Sequence, residues 1–189
     1  SKDLVPSVWR SENGERLGTY SGHKGTIWSL DCDRFSRRLL TASADASVRM
    51  WKVETGECIM VFPHRGPVRG VAWADGSQSF VTISDPFVEH NAKICVYNVP
   101  EENNSWSDTP RLEIDLPKIG GKRVNPTDVH FTALNEDIFV SFDNGMIKLY
   151  DPDTGDVKAE FQVHEKKINR VRFNRDKTLF ITSSADFTS

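Results

Sequence analysis

Moved forward by 141 positions, the chain meets itself without a gap. Trp9 falls on Tyr150, Gly14 on Gly155, His23 on His164, Ile27 on Ile168, Thr41 on Thr182, Ser43 on Ser184 and Asp45 on Asp186. A shorter shift of 42 carries Trp9 onto Trp51, and "SKD" at Ser1 to Asp3 onto "SAD" at Ser43 to Asp45. The aromatic anchors Trp9, Trp51, Tyr97 and Tyr150 divide the long interval into steps of 42, 46 and 53 residues. Self-similarity at such a period means stacked supersecondary units, none of which can bury its apolar face alone.

The pattern inside each unit has period two and is rich in β-branched and aromatic residues. "TIWSLDCD", "RRLLTASAD", "SVRMWKV" and "CIMVFPH" read as four consecutive short strands, with no helical stripe competing. A glycine follows the third-strand aromatic by five residues in "SENGE", "VETGE" and "PDTGD", where a positive φ closes a hairpin, and "FDNGM" at Phe142 to Met146 supplies a turn of the same kind. Four-stranded units with Gly-His before the first strand and an aromatic ending the third resemble the WD-repeat family of β-propellers. The expected fold is therefore all-β, a propeller of four-stranded antiparallel blades, here about four blades of a ring of seven. The expected units are a half blade at 1–23, blades at 24–64, 65–117 and 118–164, and a half blade at 165–189. A chain cut inside two blades is expected to be part of a protein of more than roughly 300 residues, at ~45 residues per blade.

His23, Ser43 and Asp45 invite a second reading, since Ser, His and Asp form hydrolase triads. Repetition argues against it: His164 stands 22 residues before Asp186, with Ser184 between, as His23 stands 22 before Asp45. An enzyme needs one nucleophile and one base in one cleft. No Gly-x-Ser-x-Gly elbow is present to carry a nucleophile. In the WD-repeat family the matching residues form a structural hydrogen-bond chain, from the loop histidine through the turn aspartate to the third-strand serine, threonine or tryptophan. The resemblance assigns that role to His23, Ser43, Asp45, Trp51, His164, Ser184 and Asp186, with no catalytic, cofactor or metal residue. The hydrolase alternative requires that Ser43→Ala abolish a reaction and leave the fold intact.

Composition narrows the remaining classes. With 189 residues, 38% hydrophobic, 27% charged and a formal charge of −3, nothing asks for nucleic acid or a membrane as an obligate partner. The apolar run Cys58 to Phe62 is far short of the ~20 residues of a membrane-spanning helix. Cys32, Cys58 and Cys95 are odd in number and lack a Cys-x-x-Cys pair, which fits a reducing compartment better than zinc or a disulfide framework. "IGGKR" around Lys122 lacks the rest of a phosphate-binding loop, and Asn103-Asn104-Ser105 matters only in a secreted chain. Lys166 to Lys177 holds six basic residues against one acidic, so an RNA-contacting surface is weighed there against a solvated blade edge, with the edge favoured. His90 and His130 stand alone and read as ordinary.

Two departures from the repeat mark candidate partner-facing loops. "PFVEHN" lengthens the hairpin after Asp85, and the polar stretch from Pro100 to Arg123 loses the Gly-His. The least generic segment, "SENGERLGTYSGHKGTIWSLDCD" followed by "LLTASADASVRMW", resembles the i-subunit family of eukaryotic translation initiation factor three. That resemblance implies a non-catalytic cytoplasmic scaffold in the factor that joins the small ribosomal subunit before start-codon selection, with the factor's b and g subunits as partners. An alternative from the wider family is a WD-repeat adaptor for a receptor or kinase signalling complex.

Overall fold

The structure, a computed structural model, describes residues 4–100, 106–116 and 123–188. Among them sixteen strands form five antiparallel sheets. The first sheet pairs β1 (Ser7–Trp9) with β2 (Arg16–Thr19). Three four-stranded sheets follow: β3 to β6 (Ile27–Cys32, Arg38–Ser43, Ser47–Lys52, Cys58–Pro63), β7 to β10 (Val68–Trp73, Ser79–Ser84, Ala92–Asn98, Leu112–Leu116) and β11 to β14 (Pro126–Phe131, Ile138–Phe142, Met146–Tyr150, Val157–Gln162). A last pair, β15 (Ile168–Phe173) and β16 (Phe180–Ser184), closes the series. In every sheet each strand pairs with its chain neighbour, so the sheets are simple meanders, as the hairpin signals require. The helical content of the described residues is one 3₁₀ turn at Ala133–Asn135.

The sequence places the core by strand. Middle strands are buried almost throughout because both their faces are covered, and in β4 and β5 Leu40, Ala42, Val48 and Met50 are fully buried. Outer strands alternate, as in β6, where Ile59 and Val61 face solvent while Phe62 turns inward. Sheets pack face to face in chain order, with β7 against β3 and β4, β11 against β7 and β8, and β15 against β11 and β12. The interface of the first two four-stranded sheets holds Leu40, Met50, Phe62, Val71, Trp73, Phe80 and Tyr97. The next interface holds Ile83, Ile94, Val96, Val129, Phe131 and Val140. Each such side chain, fully buried, contributes about 1.5–3 kcal/mol, which a single four-stranded sheet cannot collect.

Inner strands are also stapled. Asp31 on β3 accepts the Trp73 amide of β7 at 2.8 Å, and Asp128 on β11 accepts the Val171 amide of β15 at 3.1 Å. Arg170 of β15 reaches the Trp28 carbonyl of β3 at 3.4 Å, so the inner strands curve about a common axis. The period is visible in the backbone as well. Ser36, Ser77 and Lys177 occupy the same turn in three of the repeats, and all three are left-handed, with φ of 53°, 60° and 56°. The turn glycines Gly14, Gly56 and Gly155 have φ of 71°, 72° and 81°, the conformation expected of them.

Candidate functional site

The histidine before the first strand of a sheet is buried against the second and third strands. In the β3–β6 sheet, His23 Nδ1 lies 2.8 Å from Asp45 Oδ2, and His23 Nε2 lies 2.7 Å from Thr41 Oγ1. Trp51 Nε1 donates to the same threonine oxygen at 2.8 Å. Asp45 further accepts the Ser47 hydroxyl at 2.6 Å and the Lys24 amide at 2.8 Å. Burial holds the His23 pKa below its ordinary value, outweighing the attraction of Asp45. Burial alone would raise Asp45, yet the bonds from Ser47, Lys24 and His23 bring it down to about 2. Neutral imidazole and ionised carboxylate then fix the protons: Trp51 N–H to Thr41, Thr41 O–H to Nε2, Nδ1–H to Asp45.

The loop that presents His23 approaches the turn closely. A Cβ on Gly25 would stand 2.5 Å from the Asp45 amide nitrogen, so only glycine lets the two segments meet. In the last sheet His164 Nδ1 meets Asp186 at 3.0 Å and Nε2 meets Thr182 at 2.7 Å. Glu165 N and Thr188 Oγ1 repeat the roles of Lys24 and Ser47 on that aspartate, and the Thr188 hydroxyl leads in holding the Asp186 pKa well below the carboxylate range.

His23 stands between Asp45 and Thr41 of β4, and Asp45 in turn accepts the hydroxyl of Ser47, the first residue of β5, so the path from loop histidine through turn aspartate to a third-strand serine runs through Ser47. Ser43 and Ser184 lie outside the relay: Ser43 donates to the Gly25 carbonyl at 2.9 Å and accepts the Asp45 amide, and Ser184 bonds the Lys167 carbonyl at 3.1 Å. The reason is period two. Thr41 and Ser43 share a face of β4, but Ser43 ends the strand, level with the loop, while Thr41 lies one step deeper beside the imidazole. The signal was present, since Thr41 recurs as Thr182 under the 141-residue shift. Both nitrogens of His23 are committed to Asp45 and Thr41, and the Ser43 hydroxyl of the hydrolase alternative donates to the Gly25 carbonyl instead of to the imidazole.

His64 was the histidine that sequence reasoning missed. It follows His23 by 41 positions, as Thr82 follows Thr41. Its Nε2 lies 2.9 Å from Thr82 Oγ1 and 3.4 Å from the Tyr97 hydroxyl, and its Nδ1 faces the Phe62 carbonyl at 3.1 Å instead of a carboxylate. The β11–β14 sheet replaces the whole relay with two separate bonds, Thr127 to Ser141 at 2.9 Å and Asn125 to Asp143 at 2.6 Å.

Other expected features are dispersed. The Lys166–Lys177 run does not form one face: Lys177 pairs with Asp75 at 2.8 Å, while Arg170 and Arg172 approach Asp128 at 3.8 and 3.9 Å on the inner strand. His130 Nε2 stands 3.5 Å from Asp128, and His90 forms a short bridge with Phe87 in the lengthened hairpin. Within the stretch from Pro100 to Arg123, residues 101–105 and 117–122, including Asn103 and Lys122, lie outside the described residues. Cys32, Cys58 and Cys95 are free thiols, and no group of three or more metal-ligating side chains occurs among the described residues.

The family model for the WD domain, G-beta repeat matches residues 14–52 and 155–188, the stretches that carry the two complete aspartate–histidine pairs. Among curated proteins the chain is 36% identical over 197 aligned residues to eukaryotic translation initiation factor 3 subunit I of Scheffersomyces stipitis, covering 98% of this chain and 55% of that protein. It is 34% identical to the subunit I of Drosophila pseudoobscura pseudoobscura and 32% identical to that of Xenopus tropicalis, in each case across 100% of this chain and 57% of the relative. The chain thus spans little more than half the length of these relatives.

Proposed function

We propose that this WD-repeat chain, similar along its whole length to subunit I of eukaryotic translation initiation factor 3, is part of a non-catalytic scaffold that docks other subunits of that factor. The similarity over 98–100% of the chain carries the assignment. Physical support comes from the relays. They tie the histidine loop and the hairpin turn to the second and third strands with buried, mutually satisfied groups, which makes the sheets that carry them rigid mounts for loops and grooves. A binding mechanism needs no more than that: partner segments dock on a preformed surface, and no bond is made or broken.

The b and g subunits of the factor are the partners this reading names, with the small ribosomal subunit reached through the larger complex in the cytoplasm. No cofactor enters. No helix among the described residues is long and apolar enough to cross a membrane. The experiment is to tag the full-length protein in its own cells and identify what co-purifies at moderate salt. Recovery of initiation-factor subunits with small ribosomal subunits is the expected result. Recovery of a receptor or kinase complex without them would replace this reading with the adaptor one.

A further inference from the structure

We propose that the groove between the β3–β6 and β7–β10 sheets docks a short acidic segment of a partner protein, anchored by one apolar side chain. This deepens the scaffold reading and rests on it for the partner's identity, though not for the groove's chemistry. The groove has a volume of about 650 Å³, and its lining includes Phe35, Arg37, Lys52, Ile59, Val99 and Trp106. Both of its walls belong to complete four-stranded sheets.

Phe35 sits in the turn between β3 and β4 with 65% of its surface exposed, where the corresponding turns of later repeats carry Gly76, Leu134 and Asp176, so an aromatic stands here alone among the four turns. The left-handed residue that shapes this turn recurs, at Ser36, Ser77 and Lys177, but the aromatic does not. The repeat architecture therefore does not require it. Ile59 is also exposed on the groove, and Trp106 lies against the core cluster with its indole N–H out of contact with water and without an acceptor. An exposed aromatic and an exposed aliphatic beside a tryptophan on one concavity suit an inserted apolar side chain.

Charge decides the rest of the occupant. Asp33 and Arg38 neutralise each other: one oxygen of Asp33 bonds the Arg38 guanidinium at 3.0 Å and the other takes the amides of Arg37 and Arg38. Arg37 and Lys52 have no ion pair among the described residues, and Arg37 lies 5.6 Å over the Phe35 ring, beside the apolar wall. Glu54 is the one lining carboxylate not engaged by Arg38. Two open cations at an apolar notch match a peptide carrying Asp or Glu near its anchor. They are too few to track a nucleic-acid backbone, which needs a series of phosphate contacts.

A photo-crosslinking residue at position 35 of the full-length protein, expressed in its own cells, tests this. The expected product is a crosslink to a peptide with Asp or Glu within a few residues of an apolar side chain. The synthetic version of that peptide should bind full-length protein with affinity that falls with salt and drops roughly tenfold or more in the Arg37→Glu/Lys52→Glu variant. Both substituted side chains lie at the surface, so an unchanged melting temperature separates lost docking from lost folding. A crosslink to RNA, to a basic peptide or to nothing overturns the groove proposal, and if initiation-factor subunits still co-purify, the scaffold reading survives it. A crosslink to an acidic peptide of an unrelated complex, with the same loss on charge reversal, supports the groove and overturns the scaffold reading.

Discussion

The first two four-stranded sheets present the same histidine, four residues before the first strand, and satisfy it differently. In β3–β6, His23 sits in a polar relay that ends on a carboxylate, and Trp51 closes the other end. In β7–β10, the carboxylate has left. Asp85 forms an ion pair with Arg69, which stacks 3.9 Å over the Trp28 ring of the preceding sheet, so the acid now joins two sheets. His64 turns its Nδ1 to the Phe62 carbonyl, and an aromatic trio of Phe62, Phe80 and Tyr97, with centroids 4.9–5.0 Å apart, supplies the packing. Both solutions keep the histidine paired, His23 buried and His64 partly so. The lesson is that the histidine–threonine contact is the conserved geometry of the two sheets, while the charged partner is separable from it.

The comparison can be broken most forcefully at its aromatics. Trp51→Ala and Tyr97→Ala should each cost about 3–5 kcal/mol in urea unfolding, since each residue is 1% exposed and leaves a large cavity. A cost for Tyr97 far below that of Trp51 would show that the second sheet does not rely on its aromatic trio. Next in size, Asp45→Ala should cost about 1–3 kcal/mol, because His23 and the Ser47 hydroxyl lose a buried partner. Asp85→Ala should cost less than about 1 kcal/mol, as its Arg69 partner remains partly open to water. Equal costs would mean that the two acids are not separable roles.

Thr41→Val removes a hydroxyl that serves both His23 and Trp51 and should cost about 1–2 kcal/mol; Thr82→Val, with the indole contact absent, should cost less. Differential scanning of the two variants under one condition checks the order. The smallest effect is on pH. Burial lowers the pKa of both His23 and His64, so the folded protein binds fewer protons than the unfolded chain, and stability falls as pH drops below about 6.5. Asp45, held at about 2, adds a further loss as pH falls below about 4. Asp45→Asn should shrink that lower phase, to which Asp186 also contributes, and leave the upper one in place, as followed by melting temperature against pH.

Strands were legible in the sequence because each rests on local chemistry: alternation, β-branched residues and glycine turns. The expected "RRLLTASAD" and "SVRMWKV" differ from β4 and β5 by a residue or so at their ends. His23 and Asp45 were legible because repetition flagged them together. Thr41 was harder, since Thr41 and Ser43 share a strand face and only depth in the sheet distinguishes them. His64 escaped because its sheet lacks the aspartate that makes the pattern recognisable.

By itself, then, the sequence determined the repeat, the strand alternation, the hairpin turns and the residues kept for burial, all of which depend on neighbours a few positions away. Only the tertiary structure decided which hydroxyl meets the imidazole, where Asp85 spends its charge, how the basic run of Lys166–Lys177 is divided among faces, and that Phe35 and Trp106 share a groove. Those outcomes depend on side-chain depth and on contacts between sheets, where atoms tens of residues apart must compete for the same partner, and no local pattern records who wins.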